Sequence, residues 1–320
     1  MSKVAEPRGR QPEEKGKKSY PVRLWRNMKA HPLLYIMILP AVFYFLIYHY
    51  YPMYGMIISL FDYVPAKGIW GSDFVGLKHF QSFLSDPYFF RTMRNTLSIN
   101  VLLLVFGFPI PIIFAILLNE LNSGKLRRFT QTVTYMPHFI SLVVMCGLLV
   151  TFSRSDGIFN DFLSLFGMER TNLLANAKWF RPLYVLSGIW QEAGWGSIIY
   201  LATLSSIDPG LYEAATIDGA NRFQRMIYVS FPGLLPIIIV QLIMRIGNIL
   251  TTGFEKVFLL YSPLTYETAD IISTYIYRQG LELSNYSYGT AVGLFNSIVN
   301  LIILVAANHF VGKLTGESLW

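Results

Sequence analysis

Residues 33–51 read LLYIMILPAVFYFLIYHYY. A helix needs about 20 predominantly apolar residues to cross a hydrocarbon core. This run is apolar on nearly every face, not along the single stripe that a helix of a water-soluble domain presents. Working outward from it, the chain offers a first span at 33–52 and five similar runs at 96–118, 130–152, 182–204, 236–252 and 290–309. The composition agrees, because 53% of the residues are hydrophobic, only 14% are charged, and the charges are crowded into a few stretches. The fold expected is an all-α integral membrane protein of about six transmembrane helices. PMYGMIISLF (52–61) makes the first run longer than a perpendicular helix requires. Pro52 therefore predicts a tilt or a kink.

Residues 1–31 are rich in Lys, Arg, Glu and Pro. They are too long and too charged for a usual signal-peptide head, and no small-residue cleavage site follows. They read as a retained, disordered, basic tail in the cytoplasm, ahead of a membrane domain over 32–320. With that end inside, inner segments carry 15 Lys and Arg against 10 in outer loops, and the tail's nine make the difference. Arg23, Arg26 and Lys29 lie beside the first span, where the positive-inside rule weighs most. An even number of spans returns the C-terminus to the cytoplasm. The net charge of +7 is met by an anionic lipid surface beside the tail, so it calls for no nucleic-acid partner.

Between the fourth and fifth spans, residues 205–236 read SSIDPGLYEAATIDGANRFQRMIYVSFPGLLP. Asp208 is placed to cap a helix that opens with Pro209, and Gly219 to end it. Asn221 is placed to cap a second helix that Pro232 stops. The loop, about 205–235, is thus an ordered helical hairpin on the cytoplasmic side, with Tyr212, Ile217, Phe223 and Met226 as apolar anchors. From the residues alone it either covers this chain's own helix ends or meets a partner.

Glu213-Ala214-Ala215, three residues, Gly219, nine residues, then Val229-Ser230-Phe231-Pro232 resembles the Glu-Ala-Ala loop signature of membrane subunits of binding-protein-dependent ABC importers. Val229 and Phe231 replace the usual Ile and Leu and keep the apolar character. The surrounding text resembles the sugar-importing, maltose-permease-like branch, as do FVGLKHFQSFLSDPYFFRTMRNT (74–96) and GIWQEAGWGSIIYLATL (188–204). FEKVFLLYSP (254–263) and YSYGTAVGLFNSIVN (286–300) are similar to a subgroup importing oligosaccharides from plant or algal polysaccharides.

The resemblance implies a bacterial cytoplasmic (inner) membrane protein working by alternating access. Its partners would be a second membrane permease subunit, usually a different chain, two ATPase subunits and an extracytoplasmic solute-binding protein that delivers the oligosaccharide. It makes the loop a coupling helix docked on the ATPase subunit, with Glu213, Ala214, Ala215, Asp218, Gly219 and Arg222 at that interface. ATP and Mg would be used by the partner. No GxxxxGK[ST] phosphate loop occurs in this chain, so no cofactor is expected in it.

Polar residues inside the spans bear on the cargo, since intramembrane charge is expensive. Gln241, Arg245, Asn248 and Thr252 fall at i, i+4, i+7 and i+11 and predict one polar stripe on span five. Asn296 and Asn300 share a face of span six. Glu192 is the only acid within a span and is flanked by Trp190 and Trp195. Two readings stand: these groups line a sugar pathway, with amides for hydroxyls and rings for pyranose faces, or they satisfy one another, with Glu192 paired to Arg245. Gly289 and Gly293 predict close helix packing within the bundle. The outer segments 62–95, 153–181 and 253–289 are long and aromatic, with Tyr261, Tyr266, Tyr275, Tyr277, Tyr286 and Tyr288 in the last, and are expected to receive the solute-binding protein.

A membrane enzyme and a secondary transporter are the rival classes. The five His show no HExxH spacing, no GxSxG elbow is present, and lone Cys146 sits in an apolar span. A secondary transporter would show more spans and internal repeats.

Overall fold

The computed structural model describes residues 28–121, 123–316 and 318. Most of the expected basic tail, 1–27, lies outside the described residues. Contacts divide the chain into two units, 1–56 and 57–320. The first unit holds most of helix α1, Pro32–Leu60, whose side chains over 36–53 are all exposed. An apolar helix in that condition suits lipid or another subunit.

The second unit is a helical bundle. Its main helices are α2 (Pro87–Asn119), α3 (Gly124–Tyr135), α4 (Leu142–Ser153), α5 (Ala177–Leu204), α6 (Pro209–Ile217), α7 (Arg222–Gly247), α8 (Phe254–Leu260) and α9 (Tyr286–Thr315). A two-stranded ribbon joins β1 (Phe61–Asp62) to β2 (Asp73–Phe74), antiparallel, with Phe61 opposite Phe74. Lys78 and His79 hold Asp62 at 2.8 and 3.0 Å, and the hydrogen bond from Lys78 draws the carboxyl below its usual pKa.

Among the described residues five helices are long and apolar enough to cross a membrane: Pro32–Leu60, Pro87–Asn119, Leu142–Ser164, Arg222–Gly247 and Tyr286–Lys313. The expected fourth span lies within α5, which has the length, 28 residues, but carries Lys178, Arg181, Gln191 and Glu192. α5 packs against α2, α3 and α7, so protein covers much of its surface and it need not be apolar throughout. The expected third span, 130–152, is corrected. Pro137 and the cap at Ser141 break it, and α3 and α4 are separate helices joined by a turn at Met136–Phe139.

Proline shapes three of the helices in one way. At Pro52, Pro109 and Pro232 the preceding residue's N–H reaches five residues back, from Tyr51 to Leu46, Phe108 to Leu103 and Phe231 to Met226. A proline lacks its own N–H and crowds the carbonyl four residues earlier, and a single wider π-helical turn relieves both faults. Pro232 therefore does not stop the second hairpin helix, which runs on as the membrane helix α7. That corrects the sequence expectation and makes the hairpin continuous with a span.

Three apolar clusters hold the second unit. Ile99, Met145, Cys146, Phe180, Leu183 and Val257 join α2, α4, α5 and α8, and Ile112, Ala115, Leu118, Leu201, Leu204 and Leu234 join α2, α5 and α7. The third, with Phe83, Ile272, Tyr275, Tyr288 and Val292, closes the start of α9. In lipid, close backbone contact adds what hydrophobic transfer does not. A Cβ on Gly289 would lie 2.6 Å from the Cα of Gly280, and one on Gly194 would lie 2.1 Å from the carbonyl oxygen of Thr134. The packing role expected for Gly289 is thus seen.

Candidate functional site

The hairpin is built as its sequence dictates. The Asp208 carboxylate accepts from the N–H of Gly210 at 2.9 Å, with Pro209 opening α6. Gly219 ends it at φ +82, where the Ala220 N–H reaches the Ala215 carbonyl at 2.9 Å. Asn221 and Gln224 form a reciprocal capping box at the start of α7. Tyr212 hydroxyl lies 3.0 Å from the hydroxyl of buried Ser230, tying α6 to the foot of α7.

Of the expected partner-facing residues, Glu213, Ala214, Asp218, Gly219 and Arg222 are exposed and Ala215 is half-buried. Large apolar side chains share this exposed tip, with Ile217 86% and Phe223 66% exposed. Apolar side chains among charges, on a rigid element, form a surface suited to a protein partner.

The second place is the face of α5. Trp190, Glu192 and Trp195 are exposed there. His138, from the turn before α4, stacks flat on Trp195 with ring centroids 4.4 Å apart and brings Nδ1 to 3.1 Å from the Glu192 carboxylate. The expected pair of Glu192 with Arg245 is corrected: Glu192 meets His138, while Arg245, exposed, lies within electrostatic range of Tyr200, two helical turns further along α5. The expected four-residue stripe is also corrected, because α7 ends at Gly247 and Asn248 takes the non-helical φ −107 and ψ 20. Gln241 and Arg245 stay on α7. Thr252 is buried in the following loop, bonded by Asn100, and Asn300 secures that loop through the Leu250 N–H and Thr251. Asn296 is half-buried, with its Oδ1 buried and unpaired.

Sequence reading missed three features. Lys256 is 8% exposed, donates to the Tyr184 carbonyl at 2.9 Å and lies 4.5 Å above that ring. Gly188 makes room for it, since a Cβ there would sit 3.2 Å from Nζ. His138 is the second. The third is fully buried Asp270, bound by Arg91 at 3.0 Å, Arg278 at 2.7 Å and the Thr274 hydroxyl at 3.0 Å. Asn95 and Arg181 extend this network. Lys256 and Asp270 fall in an expected outer loop, where charge carries no signal of burial, and His138 meets a partner 54 residues away, which no local spacing records. Tyr275 and Tyr288, expected on a docking surface, are buried instead, and both donate to Asp86. The same carboxylate caps α2, so the two phenols close the structure there.

The second unit is thus a helical bundle packed around α5, with a capped hairpin that runs on into the span α7. Residues 107–316 match the family described as binding-protein-dependent transport system inner membrane component, and the chain belongs to that family. It is 44% identical over 305 residues, 95% of each chain, to the polygalacturonan/rhamnogalacturonan transport system permease protein YteP of Bacillus subtilis. It is 30% identical over 283 residues, 87% of each, to the arabinooligosaccharides transport system permease protein AraP of Halalkalibacterium halodurans. A chain in the crystal structure of a bacterial alginate ABC transporter, in complex with an alginate pentasaccharide-bound periplasmic protein, matches with TM-score 0.85 and 45% identity over 93% of this chain and 100% of that one. The protein is a permease subunit of an ABC importer.

Proposed function

We propose that this chain imports acidic oligosaccharides, as one of two membrane subunits that work by alternating access. An extracytoplasmic solute-binding protein hands over the sugar, and two separate ATPase subunits bind ATP and Mg. Both termini and the α6–α7 hairpin face the cytoplasm, and the exposed tip, Glu213 to Arg222, docks on an ATPase subunit. The observation that carries the cargo is the paired likeness, at 44 and 45% identity, to a polygalacturonan/rhamnogalacturonan permease and to an alginate transporter chain, whose named substrates are all acidic. The charge around Asp270 supports it. Arg91, Arg94, Arg181 and Arg278 gather there with the carboxylates of Asp270 and Glu267, leaving a positive surplus. Such a field raises the local concentration of an anionic sugar.

The complex purified with its own partner subunits, in proteoliposomes, tests the cargo. Galacturonate oligomers should stimulate ATP hydrolysis and be taken up, and galactose oligomers of equal length should not; equal stimulation by both would refute an acidic cargo. Docking of the hairpin has its own test. In a complex carrying Ile217→Cys, a short bifunctional reagent should join this chain to the ATPase. Gly219→Val should lower sugar-stimulated hydrolysis or assembly while the chain still inserts, because a β-branched residue at φ +82 costs about 1–2 kcal/mol and shifts the tip. Full assembly and stimulation in Gly219→Val would count against docking.

A further inference from the structure

One side chain fastens the hairpin to a membrane helix other than its own. Arg225 lies in the first turns of α7, half-buried. Its Nη1 donates to the Thr216 hydroxyl of α6 at 3.0 Å, and its Nη2 lies 3.6 Å from Oε2 of Glu120, the residue that ends α2. The Thr216 hydroxyl gives its own proton to the Tyr212 carbonyl at 2.7 Å, so it can only accept from Arg225. The Arg225 and Glu120 side chains are 24% and 16% exposed, so this pair is shielded from the screening that weakens surface ion pairs. Arg222, one turn earlier, is exposed.

The mechanical setting makes the contact consequential. α6 is already tied to α7 by Tyr212 and Ser230, so the hairpin moves with α7. α2 is the neighbouring span, packed along α5 through Ile112, Ala115 and Leu118. Between the hairpin and the end of α2, Arg225 and Glu120 form an ion pair that reaches across, while the hydrogen bond to Thr216 fixes where the guanidinium sits.

We propose that Arg225 is a positioning residue of the transport cycle: by bridging Thr216 and Glu120 it transmits displacement of the hairpin to α2. Docking on an ATPase then moves two spans together, α7 through the continuous helix and α2 through the ion pair. The proposal rests on the docking of the hairpin, and the two fail separately. Absence of the Ile217→Cys crosslink from a transport-competent complex refutes docking, and with it the transmission.

With the crosslink present, basal and sugar-stimulated hydrolysis are measured in proteoliposomes for Arg225→Gln, Glu120→Gln and the double variant. Basal hydrolysis and the crosslink should hold in all three, and the sugar-stimulated increment should fall between about 5- and 150-fold in each single variant, the range of ordinary coupling energies. The double variant should be no worse than the more affected single one, since both changes break the same link. An unchanged increment in either single variant, or losses that multiply in the double, would overturn the proposal. A purely structural role would lower basal hydrolysis and crosslinking together with the increment, and that result also counts against it. If Arg225→Gln does not assemble, Glu120→Gln decides alone: it leaves Arg225 bonded to Thr216, and an unchanged increment in it refutes the link.

Discussion

Asp270→Ala is expected to remove most of the chain from the folded population. Asp270 is fully buried, and its carboxylate is the shared acceptor for Arg91, Arg278 and the Thr274 hydroxyl. Deleting it leaves two guanidinium groups, 27% and 19% exposed, with their positive charges facing each other. Breaking a buried ionic cluster from one side costs about 3–5 kcal/mol, a large share of the roughly 5–15 kcal/mol that holds an ordinary domain together. The loss should appear as a collapse of the monodisperse fraction in detergent and a large fall in the unfolding midpoint of what remains. Asp62→Ala, which removes a 41% exposed carboxylate from Lys78 and His79 and leaves His79 beside the Phe61 carbonyl, should lower both far less. Comparable stability of Asp270→Ala and the unsubstituted chain would show that the arginines are neutralised elsewhere.

Gly194→Val should be the second most damaging change. A Cβ at position 194 would meet the carbonyl oxygen of Thr134 at 2.1 Å and its carbon at 2.5 Å, and both belong to helix backbone, so no side chain can rotate away. α5 and α3 must then separate, and overpacking of this kind costs about 1–3 kcal/mol or more. The separation also pulls His138, in the turn that follows α3, away from Trp195 and Glu192 on α5. Lower thermal stability should therefore be accompanied by a change in tryptophan emission. Gly196→Ala is the matched control, because a Cβ there meets only the ring of Pro111, at 3.3 Å. Equal stability of the valine and alanine variants would show that the α3–α5 contact is slack.

Local signals were legible wherever one residue governs its own backbone. Asp208, Pro209, Gly219 and Asn221 each act as read, because capping and positive φ are settled within four residues of chain. Pro232 was misread as a stop. A missing N–H has two remedies, ending the helix or widening one turn, and the choice depends on whether the following residues gain by staying helical inside a bundle. The stripe from Gln241 to Thr252 failed for a similar reason. Helical spacing predicts a shared face only while the helix lasts, and α7 ends at Gly247.

The sequence by itself determined that this chain lives in a membrane, that its elements are helices, and that residues 205–235 form a capped hairpin. Hydropathy, span length and cap chemistry are properties of contiguous residues, and contiguity is what a sequence displays. Only the tertiary structure decided the pairings: Glu192 with His138 and not Arg245, Asp270 with Arg91 and Arg278, and Arg225 with Glu120. Each joins positions brought together by the packing of separate helices. A charge takes whichever opposite charge that packing sets within about 4 Å, and no spacing along the chain records that distance.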